Sequence, residues 1–287
     1  MRVLLTGAGG QLGQDLRRAF GDGIKGKGRS EVVAATRAEL DLADRDQVLQ
    51  AITALRPDVV VNAGAWTAVD ACESDPDRAF AVNALGCRWV AEGCRRAGAH
   101  LVHVSTDYVF DGAATTPYKE WDPVGPISVY GRSKLGGEQE ILAGLPGATI
   151  VRTSWLCGAG GPNFVKTMLR LAGDVGNARV VEDQRGCPTF TDDLAGMIGL
   201  LAARRIPGIF HVTNQGETTW YALAAEVFRL AGSDPGAVVP IKTSELSLPA
   251  PRPPYSVLDN SGLRLAGIPL LPDHHEPLAR LVSTLMS

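Results

Sequence analysis

Over the first 150 residues, short apolar runs alternate with stretches in which apolar positions recur every three or four residues. That alternation is the pattern of β-α-β units in a parallel sheet. Strands are expected at 3–6, 32–36, 59–62, 101–105 and 149–152, and helices at about 12–20, 45–55, 77–97 and 128–143. The fold class that follows is α/β, a doubly wound parallel (Rossmann) sheet, with its ligand beyond the carboxyl ends of the strands. The polar, glycine-rich stretch 21–28 reads as a surface loop.

Past residue 152 the periodicity loosens. Helices are expected at 163–171, 191–203 and 220–230 and a strand at 209–212, while the prolines of 248–254 exclude regular helix there. Residues 1–153 are expected to form a dinucleotide-binding domain, with late elements from about 189–213. Residues 154–287 then form mainly a smaller, interleaved substrate-binding domain.

The glycines 7, 10 and 13 give the pattern chemical content, because they close the first strand and open the first helix. Glycine there permits a tight turn and close backbone approach to a pyrophosphate, which the helix N-terminus attracts. Gly7, Gly10, Gln11, Leu12 and Gly13 are therefore cofactor-site candidates. After the second strand, an NAD-binding protein usually places an acid for the ribose 2′-hydroxyl; here Arg37 follows, suited to a 2′-phosphate. NADPH is expected over NADH, which remains an alternative. Asp41 and Leu42 stand at the adenine edge, and Ala63, Gly64 and Ala65 let backbone approach the cofactor; both stretches could equally be ordinary loop.

Tyr130 and Lys134 lie four residues apart on an expected helix and share one face. A free tyrosine, with a pKa of about 10, is a poor acid near neutrality. An ammonium about 4 Å away, at an effective dielectric of 20, is worth about 4 kcal/mol or roughly three pKa units, enough to make the phenol a proton donor. A surface tyrosine beside a surface lysine is the plain alternative. Thr106 follows the fourth strand, where its hydroxyl can hold a carbonyl oxygen beside Tyr130.

Composition narrows the partners. The chain has 287 residues, 45% of them hydrophobic, a net charge of −3 and a pI near 6.0. No basic surplus favours nucleic acid, and no polybasic stretch, signal peptide or long apolar span points to a membrane. The five cysteines are odd in number and form no Cys-x-x-Cys; Cys87 and Cys94 fall too far apart on one helix to bridge. A reducing, cytoplasmic setting is expected.

The glycine triplet, Thr106 and Tyr130-Gly131-Arg132-Ser133-Lys134 together resemble the extended short-chain dehydrogenase/reductases. Within them the chain is most similar to the dTDP-4-dehydrorhamnose reductase family, over nearly its whole length. The segments that carry the likeness are 62–70, 105–112, 129–135, 152–156, 163–168, 183–189, and Arg252-Pro253 with 256–258. The resemblance implies hydride transfer to C4 of a nucleotide-linked 4-keto-6-deoxysugar. In it Tyr130 donates the proton, Lys134 lowers the tyrosine pKa and holds the nicotinamide ribose, and Thr106 polarises the carbonyl. It implies substrate contacts at Val69, Asp107, Tyr108, Trp155, Asn163 and Arg252; Trp155 could instead be a core aromatic. Some members bind Mg²⁺ between subunits; Asp15 and Asp192 fit two of the ligand positions, but no acid follows Glu276 to supply the third. Solvated helix-end acids are the plainer reading, and the His274-His275-Glu276 cluster, read as loop, is not an expected metal site. A homodimer is left open.

Three rivals share the scaffold. Nucleotide-sugar 4,6-dehydratases carry Thr-Asp-Glu after strand four, where this chain has Thr106-Asp107-Tyr108 and so lacks the elimination base. The 4-epimerases use the same tyrosine and lysine with tightly held NAD. A non-catalytic NADP-binding regulatory subunit is the third, against which the retention of Thr106, Tyr130 and Lys134 argues.

Overall fold

A computed structural model describes residues 1–23 and 30–287. The first half runs β1 (Arg2–Thr6), α1 (Gln11–Asp22), β2 (Glu31–Ala35), α2 (Arg45–Leu55) and β3 (Val59–Asn62). Short helices α3 (Val69–Ser74) and α4 (Pro76–Phe80) follow, then a π-helical turn over Ala81–Leu85, α5 (Gly86–Ala97), β4 (His100–Thr106), α6 (Val129–Gly144) and β5 (Thr149–Thr153). The helix expected over 77–97 is thus two helices joined by a wider turn. There the Asn83 side chain reaches Trp66, accepting from its N–H at 2.8 Å and donating to its carbonyl at 3.0 Å. Of the loop expected at 21–28, Gly21 and Asp22 close α1, Gly23 follows as its cap, and 24–28 lie outside the described residues.

The second half runs β6 (Leu156–Cys157), α7 (Phe164–Asp174), β7 (Ala178–Val181), β8 (Arg185–Gly186), β9 (Thr189–Phe190), α8 (Thr191–Arg204), β10 (Gly208–His211), β11 (Thr218–Thr219), α9 (Trp220–Leu230), β12 (Val238–Ile241), α10 (Ser261–Leu265) and α11 (His275–Met286). The His274-His275 stretch expected as loop is the start of α11. Six parallel strands form the central sheet in the order β10-β5-β4-β3-β1-β2.

Strand periodicity explains the layers, since successive side chains face opposite sides of a sheet. Val3, Leu5, Val59, Val61, Val102 and Val151 pack with Leu16 and Phe20 of α1 and Leu194 and Ile198 of α8. Leu4, Val60, Leu101 and Ile150 face the other way, against Ile52 of α2, Val90 of α5 and Ile141 of α6. A third apolar cluster, including Val165, Met168, Leu223, Val227, Phe228 and Leu278, holds α7, α9 and α11 together beside the strand ends. Among the described residues, all five cysteines are buried and unbridged, and no helix is long and apolar enough to cross a membrane.

Candidate active site

The carboxyl ends of β1, β3, β4 and β5 open into a cavity of about 580 Å³. Its first wall is the glycine turn. Gly7 has φ +69, and a Cβ there would stand 2.6–2.7 Å from the backbone of Ala63 and Gly64. A Cβ on Gly13 would lie 2.2 Å from the Gly7 carbonyl oxygen. Gly10 caps α1 with no side-chain bond, and the first turn carries no acid, so the helix-end amides are left for an anion. Gln11 and Leu12 line the same wall; the Gln11 side chain donates to the Leu156 carbonyl at 3.3 Å.

Arg37 is exposed and reaches the cavity rim beyond β2. The nearest acid, Glu39, accepts from the Thr36 N–H at 2.7 Å and its hydroxyl at 2.8 Å, contacts that hold the carboxyl below its usual range. Asp41, Leu42, Ala63, Gly64 and Ala65 complete this end.

Thr106, Tyr130 and Lys134 meet on the next wall. The α6 N-terminus is set by Ser128, whose hydroxyl accepts from the Gly131 N–H at 3.1 Å. A Cβ on Gly131 would fall 2.2 Å from the Tyr108 carbonyl, so glycine lets α6 press against the turn after β4. The Tyr108 and Tyr130 rings consequently meet edge to face at 5.6 Å. The Thr106 hydroxyl lies beside Tyr130 in the cavity lining, donates to Asp107 at 3.0 Å and accepts from the Tyr108 N–H at 3.2 Å. Burial pushes the Asp107 carboxyl up to about 6, against hydrogen bonds from Ser256 and Thr106. Its Oδ2 is buried with no hydrogen-bond partner among the described residues.

The electrostatics correct one expectation. Lys134 was expected to acidify Tyr130, but its Nζ donates to the Val104 carbonyl at 2.7 Å and lies 3.3 Å from His103 Nε2. Burial raises the Tyr130 hydroxyl well above its ordinary value, and the Thr106 hydrogen bond opposes it only in part. Burial likewise lowers Lys134. Four residues of helical spacing place both side chains at the cavity, but the ammonium turns to the strand behind it.

The facing wall is aromatic. Trp155 has φ +46, outside the usual range for a bulky residue. Its indole lies so close to Gly186 that a Cβ there would stand 2.4 Å from it. It stacks on Trp220 at 3.6 Å with 7° between the rings, and Phe164 tilts against Trp220 at 4.5 Å. Val69 also lines the cavity. Asn163 and Arg252 stand one layer behind. Asn163 caps α7 and donates to the Gly158 carbonyl at 2.7 Å and to Gln11 at 3.3 Å. Arg252 is paired with Asp70 at 2.7 and 2.8 Å. Trp220 and Thr153 also reach the cavity, and no local spacing in the sequence marks either.

Asp15 and Asp192 share a second, smaller cavity with Arg18 and Arg280. Asp15 accepts from Thr191 and Arg18, and Asp192 from Arg280 at 3.0 Å. Two guanidinium groups already supply the positive charge, so this donor set does not fit Mg²⁺. At the start of α11 the ligand atoms of Asp273, His274 and His275 lie within 4.8 Å of one another; Glu276 instead faces Arg280 at 3.7 Å.

The family model described as RmlD substrate binding domain matches residues 1–287. The dTDP-4-dehydrorhamnose reductase of Streptomyces griseus is 48% identical over 273 residues, 93% of this chain and 88% of that protein. A probable dTDP-4,6-dihydroxy-2-methyloxan-3-one 4-ketoreductase of Streptomyces antibioticus is 46% identical over 282 residues, 97% and 93% of the two chains. The solved dTDP-4-dehydrorhamnose reductase of Bacillus anthracis, in complex with NADP, is 38% identical with a TM-score of 0.93, covering 99% of each chain. With a model spanning every residue and relatives this similar over most of their length, the chain belongs to the RmlD family of dTDP-4-dehydrorhamnose reductases, within the extended short-chain dehydrogenase/reductases.

Proposed function

We propose that this protein uses NADPH to reduce the 4-keto group of a nucleotide-linked 4-keto-6-deoxysugar, converting dTDP-4-dehydro-L-rhamnose to dTDP-L-rhamnose. The observation that carries the reading is one cavity holding the glycine turn at one end and Thr106, Tyr130 and Lys134 at the other. NADPH fits the residues present: a Cβ on Gly7 or Gly13 would stand 2.6 or 2.2 Å from backbone, no side chain caps the start of α1, Arg37 is at hand and Glu39 is committed to Thr36. The NADP bound to the Bacillus anthracis relative supports the same choice.

NADPH, when bound, supplies the hydride. Thr106, beside Tyr130, turns its single O–H from Asp107 to the ketone oxygen, and Tyr130 gives its proton to that oxygen as negative charge develops. Burial keeps Tyr130 protonated before the reaction, so its proton is in place as the alkoxide forms. Residues 1–153, with the elements of about 189–213, bind the cofactor, and residues 154–287 supply most of the sugar side. Tyr108, where a dehydratase carries glutamate, favours simple reduction.

The test is loss of NADPH absorbance with purified protein and dTDP-4-dehydro-L-rhamnose. Tyr130→Phe should keep NADPH affinity while turnover falls by roughly 10²–10⁴; near-wild-type turnover would overturn the assignment. The resemblance to the Streptomyces antibioticus 4-ketoreductase favours, as a second reading, a related antibiotic-pathway ketosugar. Product configuration separates the two. Stoichiometric NADPH consumption excludes a 4-epimerase, and turnover by the protein alone excludes a regulatory subunit.

A further inference from the structure

An ammonium has three hydrogens to direct, and Lys134 must direct them inside a wall that leaves it 2% exposed. One goes to the Val104 carbonyl at 2.7 Å; His103 Nε2, 3.3 Å away, is in reach of a second. His103 lies within β4, three residues before Thr106, completely buried and outside the cavity lining. We infer that His103 is the positioning residue of Lys134: it takes one ammonium hydrogen, Val104 takes another, and the third is thereby aimed into the cavity. The inference rests on the reductase reading for its consequence, and on geometry for its substance.

The contacts continue behind the ring. Asn62 Nδ2 lies 3.1 Å from His103 Nδ1, Asn62 Oδ1 accepts from the Thr6 hydroxyl at 2.6 Å, and that hydroxyl accepts from the Gly64 N–H at 3.3 Å. Burial and the nearby Lys134 keep His103 neutral. A neutral imidazole has one donor and one acceptor nitrogen, so the chain has two self-consistent polarities. If Asn62 donates to Nδ1, the ring hydrogen sits on Nε2 and needs an uncharged amine to receive it. If Lys134 is charged, Nε2 accepts, the hydrogen moves to Nδ1, and the Asn62 amide turns its oxygen to the ring and its Nδ2 to Thr6, whose hydroxyl oxygen then accepts from it. The tautomer of His103 therefore follows the charge on Lys134, and the chain ends at Gly64 on the cofactor side. The titratable groups that bear on the ammonium are His103 from β4, Cys87 from α5 and Glu138 from α6; Arg152 neutralises the last.

Three measurements on the full chain test this. His103→Leu should raise the NADPH dissociation constant, read by cofactor fluorescence, roughly tenfold, as expected for one lost hydrogen bond to a charged group. It should also move the alkaline limb of kcat to lower pH. His103→Gln, which restores an acceptor, should recover both. In a Lys134→Met background the leucine change should alter NADPH affinity less than about twofold, because the coupled partner is gone. Ring ¹⁵N resonances of the unmutated protein should place the hydrogen on Nδ1, and those of Lys134→Met on Nε2; this reading stands even if His103→Leu fails to fold. Unchanged NADPH affinity and pH profile in His103→Leu, or the same tautomer with and without Lys134, would overturn the inference. A protein that binds NADPH but reduces no ketosugar would instead sink the reductase reading and leave the affinity and tautomer tests intact.

Discussion

The two walls of the cavity are made by opposite means. Thr106 at the end of β4 and Tyr130 and Lys134 on α6 stand above a buried ionic layer, in which Arg152 meets Glu138 through contacts of 2.7 and 2.9 Å, each partner no more than 3% exposed. Ser105, which lines the cavity, donates to the same carboxylate. The facing wall is an aromatic stack of two partly buried rings, Trp155, which precedes the two-residue β6, on Trp220, which opens α9. One wall is held by sheet register and charges that must stay paired; the other is held by ring stacking and apolar packing against the third cluster. Damage to the first should therefore reach folding and chemistry together, whereas damage to the second should reach the sugar and little else.

The largest effect is expected from Glu138→Ala. It leaves the buried Arg152 guanidinium without its carboxylate, which for a broken buried pair costs about 3–5 kcal/mol of stability. A urea midpoint that falls with an unchanged slope would report it; a shift under about 1 kcal/mol, the range of surface pairs, would mean the layer is not what holds this wall. Asp107 comes next. Its folded pKa of about 6 exceeds the ordinary 3.8, so as pH rises the unfolded chain gives up this proton first. The stability is complete below about pH 4 and lost as pH rises through 6, by roughly 3 kcal/mol at 1.36 kcal/mol per unit. Asp107→Asn should flatten that slope and leave the variant the more stable protein at pH 7, read from thermal unfolding across pH. Parallel stability curves for the two proteins would remove the buried charge from the account.

The same division governs what could be read in the sequence. The strand-end wall obeys local rules: short apolar runs give β1, β3 and β4, and the glycines 7, 10 and 13 mark a turn whose backbone must approach Ala63. Tyr130 and Lys134 could be placed at the site by helical spacing. The direction of the ammonium could not, because it depends on His103 and Val104, which lie about thirty residues away in sequence on another element. Trp220 was illegible for the same reason. It meets Trp155 from 65 positions further along the chain, and nothing near it in sequence announces the encounter. Asn163 and Arg252 show the converse: motif residues whose side chains are occupied by Gly158 and Asp70, behind the surface they were expected to form.

At the cofactor end, Arg37→Ala sharpens the contrast. A hydrogen bond to a charged group is worth about 1.5–3 kcal/mol, so the Michaelis constant for NADPH should rise roughly tenfold or more while that for NADH stays within about twofold. Equal change for both cofactors would place Arg37 away from the 2′-phosphate.

The smallest effect belongs to the aromatic wall. A stacked aromatic pair adds about 0.5–1.5 kcal/mol beyond the area it buries, or roughly a 2- to 12-fold effect on an equilibrium. Trp220→Leu keeps an apolar side chain at the start of α9 but removes the ring that holds Trp155 flat against Gly186. The Michaelis constant for the ketosugar should rise several-fold, that for NADPH should not move, and the exciton couplet of two stacked indoles should vanish from the far-ultraviolet circular dichroism. The three readouts matter together. Loss of the couplet with an unchanged sugar constant would make the stack a packing feature of the wall. A fall in NADPH affinity as well would show that the two walls are coupled, and that the aromatic side helps to hold the strand-end side in place.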